Sequence, residues 1–397
     1  MNRVWFVGMI VLGFLYPHHA QGQASLRICV LTPLSGPFAV IGQSFRTGIE
    51  RSLTQERAAK EVTIVPHDVQ ADPGIAAQLA ERSRERDNCS AIAGGLTSAQ
   101  ALAVADVARR AKFLYLEGVA GVPLTTGPLR DASSLFQTAV TLDSEARAAA
   151  RFLTIQKVKQ VELLSDPDSQ LLISEFVSEA ETIKLAIGER AIVPPGSTAD
   201  TLAERLQSLF KARGVAVVVA VTPGGFETLA NALARQQEQV RRRTLVIGGF
   251  GSPFTVSRLG RNYPFGIWAM SSDHSDWDNG CERSNCEDTL PAHQTFVKDL
   301  RAVQPYKRYA DYPPFVIDGH IAMQFLIAAY RKSKSVDPAI LAEALRGASI
   351  NSPLGRLTMN PLTRRTDRGV FVGRMVLEPE TSFARMDRNA LYMTPRP

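Results

Sequence analysis

Few residues in this chain could do chemistry. Ser35 and Gly36 follow the apolar run Ile28 to Thr32 within "TPLSGPF", ahead of a helical stripe at Ile41, Phe45, Ile49 and Leu53. A strand, a tight Ser/Gly turn and a helix start leave free backbone N–H groups at a sheet's carboxyl edge. That arrangement suits an anion such as a carboxylate. Many α/β domains begin the same way without a ligand, so the turn alone leaves both readings open.

Nucleophilic and metal chemistry has less to work with. Past residue 24 the imidazoles are His67, His274, His293 and His320, none in a nucleophile-elbow or metalloprotease context. His320, inside "VIDGHIAMQF", reads as a packed helix residue, and "TPGGFET" lacks the lysine of a phosphate loop. Asp68 and Asp72 read as a strand end and a helix cap rather than an acid/base pair. Cys281 and Cys286 sit close together in the polar loop "DWDNGCERSNCEDT" and are expected to form a small disulfide loop. A metal there would need two more ligands from Asp278, Glu282, Glu287, His274 or His293. Cys29 falls in the first strand and Cys89 just before the third, its neighbour in a parallel sheet, offset by about three residues or about 10 Å. They are either bridged or two buried thiols. No catalytic set and no cofactor is expected.

The elements that must position these residues alternate between strand and helix. "VTIVPHDV", "AIAGG", "KFLYLE" and "SLFQTAV" read as strands, with amphipathic helices between the earlier ones. After Asp143 the alternation restarts through "QVELL", "RAIV", "VAVVVAV" and "TLVIG". Helices dominate from Leu290 to Arg346, and a β-rich tail follows. The fold class is α/β, with two doubly wound units rather than one long sheet. Ligands of such sheets sit beyond the strand carboxyl ends. The loops there are Ser35 to Gly42, Leu96 to Ser98, Glu117 to Gly121, Ser165 to Gln170, Thr222 to Phe226 and Gly248 to Ser252.

With 397 residues, 45% hydrophobic and 21% charged, the chain has an ordinary soluble composition. The net charge of +6 is scattered, apart from Arg241-Arg242-Arg243 at a helix-to-strand turn. No basic stripe with interleaved aromatics occurs, so nucleic acid is not an expected partner. Arg3, the apolar stretch Val4 to Tyr16 and Gly22-Gln23-Ala24 read as a secretory signal over residues 1–24, with Ala20 as another cleavage candidate. No cysteine follows where a lipid anchor would attach, so a freely diffusing periplasmic protein is expected.

Four stretches carry a family resemblance: "ICVLTPLSGPFAVIGQSFRTGIE", "AIAGGLTSAQALAVADVARRAKFLYLEG", "YPPFVIDGHIAMQFLIAAYRKSKSVDPAILAEALRG" and "INSPLGRLTMNP". Together, in order from about Leu26 to Leu377, they resemble bacterial periplasmic binding proteins for branched-chain amino acids. The resemblance implies a type I periplasmic binding fold, two lobes joined by a three-strand hinge. Lobe 1 would comprise 25–139 with 272–349, and lobe 2 would comprise 140–271 with 350–397. Crossovers would fall near Thr138 to Thr141, Met270 to Ser272 and Ser349 to Ser352. A monomer holding a small-molecule ligand in the interlobe cleft, with an inner-membrane ABC permease as partner, is implied.

The family's ligand-carboxylate loop matches Leu96, Thr97 and Ser98, where Ser98 also reads as a helix N-cap. Ser35, Ala120, Gly121, Gln170 and Phe226 complete the implied lining. The pattern departs elsewhere. The threonine expected near Gly121 is missing. The first-loop aromatic falls at Phe38, with Ile41 at the better-aligned position, and the second-lobe aromatic near Gln170 is absent. The acid that pairs with a ligand ammonium aligns with Phe250. Glu117, or Asp166 or Asp168 across the cleft, could replace it. The expected ligand is therefore an apolar or aromatic carboxylate before an intact α-amino acid. A ligand sensor docking a membrane receptor, and an extracytoplasmic hydrolase, are the alternatives.

Overall fold

The structure, a computed structural model, describes residues 25–70, 72–125, 127–210, 215–274, 289–303, 315–378 and 382–394. The first unit runs β1 (Leu26–Thr32), α1 (Ala39–Gln55), β2 (Val62–Asp68), α2 (Pro73–Glu85), β3 (Ala91–Gly94), α3 (Ser98–Ala111), β4 (Leu114–Glu117) and β5 (Leu135–Gln137). Its strands form one parallel sheet in the order β2-β1-β3-β4-β5. β3 and β4 are buried throughout, and β1 at all but one position, as strands covered on both faces require. The helices start where the sequence provides caps. Asp72 accepts from the N–H groups of Gly74 and Ile75 with Pro73 at the first helical position.

The second unit runs α4 (Leu142–Ile155), β6 (Gln160–Ser165), α5 (Gln170–Thr182), β7 (Ala186–Ile192), α6 (Ala199–Leu209), β8 (Val215–Ala220), α7 (Phe226–Ala234), α8 (Glu238–Arg241), β9 (Thr244–Ile247), α9 (Pro253–Leu259) and β10 (Trp268–Ser271). α10 (Thr289–Val303), α11 (Val316–Ser333), α12 (Pro338–Leu345) and the hairpin of β11 (Ser349–Ser352) and β12 (Gly355–Thr358) come next. They are followed by β13 (Val370–Leu377), β14 (Ala384–Met386) and β15 (Leu391–Met393). The second sheet has the order β14-β13-β10-β9-β8-β6-β7, with β15 also on β13. β6 to β10 are parallel, and β13 joins β10 antiparallel. The two-lobed α/β reading therefore holds.

α11 is buried along nearly its whole length and returns the chain to the first lobe against α1. Two glycines allow this approach. A Cβ on Gly48 would lie 1.9 Å from the Val316 carbonyl oxygen, and one on Gly319 would lie 1.9 Å from that of Phe45. The β11–β12 hairpin then packs on α11, with Ile350, Leu354, Leu357 and Met359 in the core. The chain next runs beside β5, where Arg365 bridges to Gln137, and enters the second sheet only at Val370. The third passage between lobes thus lies at 365–370, beyond the expected Ser349 to Ser352, because burying the hairpin's apolar face keeps 350–364 with the first lobe.

Two arginines tie this passage down. Arg368, fully buried, donates to Asp318 of α11 at 2.5 Å and to the carbonyl of Ser272 at 2.9 Å. Arg365 donates to Asp143 in the first turn of α4 and to the Thr125 hydroxyl.

Cys29 and Cys89 form a disulfide, with Cα atoms 5.8 Å apart. β1 pairs Cys29 with Ile92, the three-residue offset anticipated, but the chain bends before β3. Ser90 donates to the carbonyl of Arg27 and Cys89 to that of Ser83, which carries Cys89 sideways to its partner. The open choice between a bridge and two thiols is settled as a bridge. Cys281 and Cys286 lie outside the described residues.

Candidate functional site

Strand order in each sheet reverses at one point, between β1 and β3 in the first and between β6 and β8 in the second. Chains leaving the two central strands of such a point turn to opposite faces and open a crevice at their carboxyl ends. The first crevice is bounded by the loops after β1 and β3, carrying Ser35, Phe38 and Leu96 to Ser98. The second is bounded by those after β6 and β8, carrying Gln170 and Phe226.

In the first crevice Ser35 is exposed and donates to Asp68 at 2.5 Å, while the N–H of Leu34 donates to the same carboxylate at 2.8 Å. Asp68 is therefore more than the end of β2, since it fixes the loop that presents Ser35. Burial works against its charge, yet hydrogen bonds from Ser35, Leu34 and Gln70 hold its carboxyl below the usual range. Phe38 is half-buried at the start of α1, and Ile41 is buried one turn on.

The cap of α3 is Thr97 and not Ser98. The Thr97 hydroxyl accepts from the Gln100 N–H, and the Gln100 side chain accepts from the Thr97 N–H, a reciprocal capping box. Ser98 is thereby moved to the first helical position. It is exposed, and its hydroxyl has no partner among the described residues. Helix geometry leaves the N–H groups of Ser98 and Ala99 unclaimed beside it, so a free hydroxyl and free amides lie together at the helix start, an arrangement that suits an anion. Leu96 is half-buried at its edge.

Glu117 ends β4 and is fully buried. One carboxylate oxygen accepts from the N–H groups of Val119 and Ala120, and the other from the Gln137 side chain at 3.1 Å. Burial outweighs these bonds, nearby Asp318 adds to it, and the pKa rises from 4.5 to about 7. The carboxylate is spent on holding the 118–121 loop. Ala120 is half-buried there, and Gly121 adopts φ +66° with no room for a Cβ against the Val140 carbonyl.

In the second lobe Gln170 is exposed and donates to the Ser165 hydroxyl and the Asp166 carbonyl. Asp166 accepts from the N–H of Ser169 and from both the N–H and the hydroxyl of Thr222, clamping the loops after β6 and β8 together. Asp168 is exposed, with no partner among the described residues. Phe226 and Phe250 meet edge to face with ring centres 5.1 Å apart, and Phe250 packs on Tyr263. Both are buried, Phe250 completely, so as placed they belong to the lobe's core and not to an exposed lining.

One acid escaped sequence reasoning. Glu145, in the first turn of α4, accepts from the N–H groups of Gly248 and Gly249 directly before Phe250. Burial pushes its pKa up against those two bonds. Position in the first turn looks like dipole complementation and gives no hint of a partner 103 residues away.

The two cavities described, of about 460 and about 480 Å³, lie away from these loops. One lies between α1 and α10 and the other beside β7 and α6.

Residues 25–379 match the family model for periplasmic binding proteins. The chain is 23% identical over 350 residues to a Leu/Ile/Val-binding protein from Rhizobium johnstonii, covering 84% of this chain and 87% of that one. An ABC transporter substrate-binding protein from Sphaerobacter thermophilus superposes with a TM-score of 0.76 at 20% identity, over 93% of this chain and 98% of its own. A solute-binding protein from Rhodopseudomonas palustris, solved with 4-hydroxybenzoate, superposes with a TM-score of 0.73 at 15% identity, over 94% and 98%. With a match spanning nearly the whole described chain, and a doubly wound fold that opens a crevice at each sheet's switch point, the protein belongs to the periplasmic binding protein family.

Proposed function

We propose that this protein captures a small apolar or aromatic carboxylate between its lobes and delivers it to an inner-membrane ABC permease. The observation that carries the reading is the contrast between Ser98 and the nearby acids. Ser98 offers a free hydroxyl beside unclaimed helix N–H groups. Glu117, Asp166 and Glu145 are instead consumed by hydrogen bonds from neighbouring loops and side chains. A buried ligand ammonium without a free carboxylate costs several kcal/mol, whereas a ligand with only a carboxylate avoids that cost. The relative with bound 4-hydroxybenzoate is consistent with this class.

An intact α-amino acid is the second reading. Asp168, exposed and unengaged among the described residues, favours it, as does the Leu/Ile/Val-binding relative. The test is a thermal-shift and calorimetric panel of benzoate, 4-hydroxybenzoate and leucine. Aromatic acids should raise the melting temperature in proportion to occupancy, and leucine should do so weakly or not at all. A response to leucine alone overturns the preferred ligand.

Delivery to a permease requires an extracytoplasmic location. Among the described residues no helix is long and apolar enough to cross a membrane. The exported protein should begin near Ser25 on N-terminal sequencing, and an intact Met1 in periplasmic material would contradict it.

A further inference from the structure

At the first sheet three potential metal ligands converge, and a fourth, Cys89, is bonded to one of them. Cys29 lies within β1, His67 near the end of β2, and Asp87 and Cys89 in the connection between α2 and β3. The Cys29 Sγ is 3.6 Å from the His67 Nε2, which is 2.9 Å from the Asp87 carboxylate. Ligand atoms of these three residues all lie within 4.8 Å of one another. Cys89, bonded to Cys29, has its Cα 5.8 Å from that of Cys29. Both cysteines and His67 are buried.

We propose that the dithiol form of this chain holds a divalent cation of the zinc type through Cys29, Cys89, His67 and Asp87, and that disulfide formation expels it. Two thiolates, an imidazole and a carboxylate are a donor set such a cation prefers. With metal–ligand bonds of about 2.0 to 2.3 Å, tetrahedral donors sit about 3 to 4 Å apart. The Cys29–His67 and His67–Asp87 separations, 3.6 and 2.9 Å, bracket that value, and Cys89, once released from Cys29, would reach the site by rotating its side chain. A dithiol reductant passes two electrons and two protons to the Cys29–Cys89 bond and becomes a disulfide itself. The cation then displaces the two thiol protons and binds His67 through a neutral ring. The charges facing the site are Asp87, the Arg82 guanidinium, 3.4 Å from the Asp87 carboxylate and half exposed, and the exposed Arg27, whose guanidinium lies 2.7 Å from the Asp87 carbonyl. Arg82 can offset the net negative charge of the filled site or swing into water.

Cys281 and Cys286 are the only other cysteines in the chain, so the test uses the C281S/C286S variant. It is reduced with a phosphine, freed of reductant without oxygen, and titrated with zinc against a chromophoric chelator. Circular dichroism checks the fold, and cobalt(II) serves as a spectroscopic probe. The reduced protein should bind one zinc, give tetrahedral cobalt bands and re-oxidise more slowly when loaded. The disulfide form should bind none. His67→Gln and Asp87→Asn should each weaken binding by about tenfold or more. Three results overturn the proposal: a folded dithiol protein binding no more zinc than the disulfide form, undiminished affinity in His67→Gln, or loss of the folded spectrum on reduction.

Discussion

Capping chemistry decides what Ser98 is free to do. Because Thr97 and Gln100 satisfy one another, the Ser98 hydroxyl remains available. Ser98→Ala should therefore weaken a bound carboxylate by about 1 to 3 kcal/mol while leaving the melting temperature of the free protein nearly unchanged. Calorimetry of the variant against wild type checks both halves. Two buried groups set an opposing pH dependence. The pKa of Glu117 is raised from 4.5 to about 7, so its contribution to stability is fully present below 4.5 and lost as pH rises to 7. His320 is buried against Phe296, with Arg51 nearby and no hydrogen-bond partner for either ring nitrogen among the described residues. Burial lowers its pKa from 6.5 to about 4, so its contribution is present above 6.5 and lost as pH falls to 4. Each term amounts to about 3 kcal/mol. Denaturation between pH 4 and 7 should show stability falling with pH in His320→Gln and rising with pH in Glu117→Gln. Parallel profiles in the two variants would refute the assignment.

Packing of α1 on α11 is where a single methyl group matters most at the level of elements. Each helix contributes one glycine at a point where the partner backbone occupies the space of a Cβ. Gly319→Ala should cost at least about 1 to 3 kcal/mol, because backbone rather than a flexible side chain must yield. Chemical denaturation would register it as a lower midpoint, and an unchanged midpoint would mean the helices can separate freely. The cost is structural, since neither glycine lies on a loop at a switch point. The loops themselves are held by carboxylates on neighbouring elements, Asp68 for Ser35, Asp166 for Thr222 and Glu145 for Gly248.

For the whole molecule, three passages join the lobes, and Arg368 links the last of them both to α11 and to the second at Ser272. On the proposed function, one lobe should rotate on the other about these passages while the interior of each stays rigid. Ligand binding should therefore shrink the small-angle scattering radius without changing secondary structure by circular dichroism. A ligand shown to bind by calorimetry yet leaving the radius unaltered would exclude closure.

Alternation of buried runs with amphipathic stretches, read with the Asp72-Pro73 helix start, was enough to determine two α/β units and the loops at their strand ends. Those features are local, set by backbone propensity and the burial period of each element. Ordered motifs then pointed to the family. Partners distant in sequence were decided only by tertiary structure. The bend at Ser90 brings Cys89 to Cys29 despite the offset register, and the buried face of the β11–β12 hairpin moves the last crossover to 365–370. Burial turns Phe250 into the core, binds Glu117 to its own loop and brings Glu145 to Gly248. A side chain's direction and its hydrogen-bond partners depend on which surfaces pack together, and no window of sequence contains both surfaces.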